Sequence, residues 1–103
     1  MEKLDKEEQQ LLDLLPKGMD RPQPVREIVK TTGWSSRKVR ATIYRLIVIH
    51  HQPIGAVNHQ PGNGYFIITN DQERRQALAP LTSQIQMMNK RAQAISKAKL
   101  GTD

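Results

Sequence analysis

Thr32-Gly33-Trp34-Ser35-Ser36-Arg37-Lys38-Val39-Arg40 is the stretch on which the reading of this chain turns. Gly33 suits the left-handed residue that closes a helix, where a side chain would be strained. Ser35 suits the N-cap of the next helix, because its hydroxyl can accept from a first-turn amide. The stretch therefore predicts one helix ending, a tight turn, and a second helix opening on Arg and Lys.

Val25, Ile28 and Val29 share one face of the helix before the turn, with Pro24 near its first turn. The helix after it is expected from about Ser36 to Ile49. At about 100° per residue, Val39, Ile43 and Leu46 form a narrow apolar stripe. Arg37, Arg40, Ala41, Tyr44 and Arg45 fall largely on the other side. An earlier helix is expected from Leu4 to Leu15, with Leu4, Leu11, Leu12 and Leu15 as its stripe. Asp5, Glu7 and Glu8 favour its N-terminal half, and they read as capping and solubilising. Pro16 and Gly18 stop it, and Pro22 and Pro24 keep the following segment extended.

Pro53 ends the third helix and opens a strand, Ile54 to Asn58. Gln60-Pro61-Gly62-Asn63-Gly64 is dense in turn residues, and Tyr65-Phe66-Ile67-Ile68-Thr69 has high β propensity. The two segments predict a β-hairpin, with Tyr65 and Ile67 on its buried face. Asn70-Asp71-Gln72-Glu73 looks like a capping box that opens a last helix. Pro80 predicts a kink or break near Ala79. Leu78, Leu81, Ile85, Met88, Ala92 and Ile95 are spaced 3, 4, 3, 4, 3, which is a heptad seam. It suits a two-chain coiled coil or helical dimer arm; the alternative is a helix packed back on the domain. The tail after Lys97 is expected to fray. The expected fold is mainly α with a small hairpin: residues 1–70 form the domain and residues 71–103 the C-terminal helix.

The chain has 103 residues, a net charge of +6 and no cysteine. Neither a disulfide framework nor a thiolate zinc site is possible, which suits a reducing cytoplasm. Its N-terminus is unlike a signal peptide, and no apolar run is long enough to cross a bilayer, so no membrane partner is expected. Residues 1–20 carry a net −3, residues 21–51 a net +6, residues 52–70 no formal charge, and residues 71–103 a net +3. The positive field is concentrated around the turn, as a phosphate backbone partner requires. His50 and His51 are adjacent with diverging side chains, His59 sits in the hairpin loop, and no carboxylate has ligand spacing to them. No metal or cofactor is expected. No nucleophile-and-base pair or phosphate-binding glycine loop occurs, so an enzyme is not expected.

These features fit a helix-turn-helix, in which the second helix presents its early outward residues to base edges of the major groove. Trp34 would pack in the crevice between the helices. Ser35, Ser36, Arg37, Arg40 and Ala41 occupy the early positions: Arg reads guanine bidentately and Ala permits close approach to a thymine methyl. Lys38, Tyr44 and Arg45 flank them, nearer phosphates. The hairpin tip carries no Lys or Arg, which weakens deep minor-groove insertion; Asn58, His59 and Asn63 remain candidates to touch phosphate.

From about Val25 to Ile68 the chain resembles a winged helix-turn-helix domain. The Thr32–Arg40 stretch, then Pro53-Ile54, then Gly64-Tyr65-Phe66, carry the resemblance. The combination is similar to small winged-helix proteins of bacteriophages and prophages of Gram-positive bacteria. In these a Pro-Ile pair opens the first wing strand and a Gly-Tyr pair the second. The loop here departs from many wings in lacking basic residues. The resemblance implies sequence-specific binding of double-stranded DNA by a homodimeric transcriptional regulator of a phage or mobile element. The alternatives are a phage DNA-replication accessory protein and a winged-helix module that binds a phage or host protein. Fold alone does not separate them.

Overall fold

A computed structural model describes residues 3–57 and 63–101. Its elements are α1 (Lys6–Leu14), α2 (Val25–Thr32), α3 (Ser36–Val48), β1 (Ile54–Val57), β2 (Gly64–Ile67) and α4 (Asp71–Lys97). The described chain is thus mainly helical, with one antiparallel hairpin and a long last helix. Asn58, His59 and the turn residues Gln60 to Gly62 lie outside the described residues.

The helix ends follow local chemistry. Asp5 caps α1 in a reciprocal capping box with Glu8. Gly33 closes α2 in the left-handed conformation, φ 77°, and its N–H donates to the Val29 carbonyl. Ser35 Oγ accepts from the Lys38 amide and opens α3. α3 ends where the amides of His50 and Gln52 donate back to the carbonyls of Arg45 and Leu46.

Leu11 and Leu15, Ile28 of α2, Val39, Ile43 and Leu46 of α3, and Ile54 of β1 form the core. Each fully buried aliphatic side chain stabilises the fold by roughly 1.5–3 kcal/mol. Thr42 is also buried on the α3 seam, its hydroxyl satisfied by the Lys38 carbonyl at 2.8 Å.

The hairpin pairs Ile54 with Ile67, Gly55 with Phe66, Ala56 with Tyr65 and Val57 with Gly64. The segment between α1 and α2 runs along the other edge of β2. Gln23 exchanges two backbone hydrogen bonds with Tyr65, and Ile67 bonds to Pro16 and Gly18. That close approach needs Gly64: a Cβ there would lie 2.6 Å from the Gln23 carbonyl carbon, and its φ is 146°.

The expected burial of Tyr65 with Ile67 is half the account. Both pack against the core and are half-buried, whereas the fully buried residue of the strand is Phe66, on the opposite face. The reason is α4. Its second turn brings Ala77 over Gly55, and the Phe66 ring fills the space that a Cβ at position 55 would need. The hairpin is therefore covered on both faces, and alternation could not decide between them.

Asn70 caps α4 by accepting from the Glu73 amide. The Glu73 carboxylate does not complete the box. It accepts instead from the Thr69 amide and hydroxyl and from the Met19 amide, tying α4 to the α1–α2 segment. Of the kink or break expected near Ala79, no break occurs: α4 runs through Pro80. Pro80 donates no hydrogen bond and its ring crowds the preceding turn. It sits where the helix has left the domain, so water can reach the freed carbonyl. From Leu78 to Lys97 every residue is exposed, an arm about 30 Å long at 1.5 Å per residue.

Candidate nucleic-acid interface

α3 carries the candidate surface because its seam is buried. Val39, Thr42, Ile43 and Leu46 point inward, so at about 100° per residue Arg37, Ala41, Tyr44 and Val48 point the opposite way. All four are exposed, Tyr44 by 64 % and Val48 by 49 %. Tyr44 is thus central to the outward strip rather than on its flank. Val48 was not among the sequence candidates, although the helix was expected to run past it. The interval from Ala41 and Tyr44 to Val48 could have found it.

Ser35 and Ser36 are exposed at the start of α3, with the Ser35 hydroxyl occupied by its cap. Arg40 is exposed on the side of the strip nearer α2 and the hairpin. Among the described residues neither Arg37 nor Arg40 has an ion-pair partner.

The other flank is different. Lys38 Nζ lies 2.6 Å from Glu7 Oε2 and 4.7 Å from the centre of the Trp34 ring. Arg45 Nε donates to Glu8 Oε2 at 3.2 Å. The acids of α1 thus neutralise the two cations that face them. Glu7 remains half exposed, but Glu8 is buried, which corrects its reading as a solubilising residue. Its other oxygen accepts from the Asp5 amide at 2.9 Å and lies 3.1 Å from His50 Nε2. The Asp5 amide is the largest influence holding the Glu8 carboxyl below its ordinary pKa range; Arg45 and His50 add to it and burial opposes it. The sequence offered no sign that His50 has a carboxylate neighbour, since Glu8 is remote in the chain.

Arg26, on the first turn of α2, is also exposed and also escaped the sequence candidates. It lines a cleft of about 380 Å³ together with Arg40, Asn63 and the hairpin residues Ala56, Val57 and Tyr65. The seam positions Leu78, Leu81, Ile85, Met88, Ala92 and Ile95 lie along the exposed arm of α4; Leu78 is the least exposed of its large apolar residues, at 51 %. Among the described residues no three His, Asp or Glu side chains gather in a metal-like cluster, and no helix is long and apolar enough to cross a membrane. Comparison with protein-family models, curated proteins and solved structures found no match to this chain.

Proposed function

We propose that this protein binds double-stranded DNA as a winged helix-turn-helix regulator of a phage or mobile element, with α3 in the major groove. The observation that carries the reading is the outward strip of α3. Arg37, Ala41 and Tyr44 stand opposite a fully buried seam, and Arg37 has no counter-ion among the described residues. A guanidinium fork, a small side chain and an amphipathic ring suit base edges, and the rigid seam beneath them holds their register.

The reading includes a second copy of the chain, joined through α4. A helical segment of this length is marginal in water without tertiary support. Its large apolar residues recur at heptad spacing, and burying them against an identical helix would supply the missing support. A two-fold dimer would then read two half-sites about 34–36 Å apart, one helical turn of DNA.

The test is selection of bound duplexes from a random pool, followed by anisotropy titration of the winner across a salt series. A two-fold symmetric winner, with affinity falling steeply as salt rises, is the expected result. No binding to any duplex even at low salt would overturn the reading and leave α3 as a protein-contact surface.

A further inference from the structure

We propose that the cleft between α2, α3 and the hairpin takes one phosphate of the DNA backbone, gripped by Arg26 and Arg40. The inference rests on the DNA-binding reading above and gives that surface its anchoring side.

Two arginines from different helices line one concavity, and among the described residues no acid lines it with them. The acid nearest in sequence to Arg26, Glu27, is engaged by Lys30 at 3.8 Å. Two cationic side chains that reach into one concavity can share a single tetrahedral anion, which offsets their mutual repulsion. Arginine suits the task, since its planar fork gives two parallel hydrogen bonds to phosphate oxygens. Asn63 is exposed at the same rim and adds a neutral side-chain amide. A volume of about 380 Å³ admits a phosphodiester with an adjoining sugar.

Position favours a backbone phosphate over a free one. The cleft adjoins the outward strip of α3, because Arg40 is next to Ala41 and one turn from Arg37 and Tyr44. With α3 in a groove, a strand of the duplex runs along that flank. The opposite flank holds Lys38 and Arg45, both engaged by α1 acids. Backbone contacts are therefore one-sided, and Arg40 serves position rather than base identity.

The test uses the full chain and its selected duplex beside a random one, in anisotropy titrations over a potassium chloride series. Arg26→Ala and Arg40→Ala should each weaken both duplexes by the same factor, about tenfold. Each should also reduce the slope of log K against log salt by about 0.9. Arg37→Ala should weaken the selected duplex more than the random one. Circular dichroism and melting of both cleft variants should match the parent, since both side chains are exposed. A scan of single methylphosphonates should find one position whose neutralisation weakens the parent but not Arg26→Ala. An unchanged salt slope in Arg26→Ala, or loss by Arg40→Ala confined to the selected duplex, would overturn the assignment. So would saturation of the cleft by inorganic phosphate alone, followed by NMR, without competition against duplex. A parent that binds no duplex would remove the DNA reading and this inference together.

Discussion

Replacing Phe66 with Ala removes the ring on which the hairpin and α4 meet. Phe66 is fully buried, and the ring lies against Gly55 of β1 close to Ala77 of α4. A buried Phe→Ala change costs about 3–5 kcal/mol, from lost transfer energy and from the cavity left behind. The upper part of that range applies only where the neighbours cannot collapse. Gly55 has no side chain to move in, and Ala77 has only a methyl, so little can fill the space. At roughly 4 °C or more per kcal/mol for a domain near this size, Tm should fall by at least about 12 °C. Tyr65→Ala is the internal comparison. Tyr65 is half-buried against the main core, so its loss should cost markedly less. Denaturant melts of the three proteins give the differences, and native-state hydrogen exchange locates them. Protection should fall first in the opening turns of α4, because among the described residues α4 docks through Glu73, Ala77 and their neighbours. Equal costs at the two positions, or a Phe66→Ala penalty under about 1 kcal/mol, would refute the claim that the α4-facing side holds the strand's main anchor.

Gly64→Ala should destabilise by about 2 kcal/mol or more, since it meets both a disfavoured φ and the Gln23 carbonyl; a chemical melt close to the parent's would show that the α1–α2 segment is not held at that distance. Acid should weaken the fold through Glu8 and Glu73, whose carboxyls are both held below their ordinary range by amide hydrogen bonds. Their contribution is complete above the unfolded value, about 4.3, and is lost as pH falls through the lowered folded values. Urea melts of Glu8→Gln should accordingly show a shallower acid limb than the parent, and an identical limb would exclude Glu8 as its source. Ile85→Glu combined with Met88→Glu should halve the mass measured by sedimentation equilibrium without changing the melting of the folded domain, because both positions are exposed in the single chain; an unchanged mass would exclude the α4 seam as the dimer contact.

The four helices and the hairpin were legible in the chain, because each depends on neighbours a few residues away. Asp5, Gly33, Ser35 and Asn70 act on amides or carbonyls within four residues, and their roles were readable as residue types in order. The buried seam of α3 was readable for the same reason, and with it the outward position of Arg37 and Ala41. At Pro80 the chain left a kink or a break open, and the helix is unbroken, because exposure lets water serve the carbonyl that proline leaves unbonded.

Where the helices begin and end, and which face of α3 is apolar, follow from backbone periods and from side chains that reach one turn. Which cations stay uncommitted depends instead on how distant segments pack. Glu7 and Glu8 meet Lys38 and Arg45 across separations of 31 and 37 residues, while Arg26 and Arg40 share a cleft that no acid lines among the described residues. Charge acts through space, so chain packing sorts chemically identical arginines into neutralised and available ones. The same holds for Phe66 against Tyr65: a strand's alternation defines two faces, and the element that arrives on each determines how deeply it is buried.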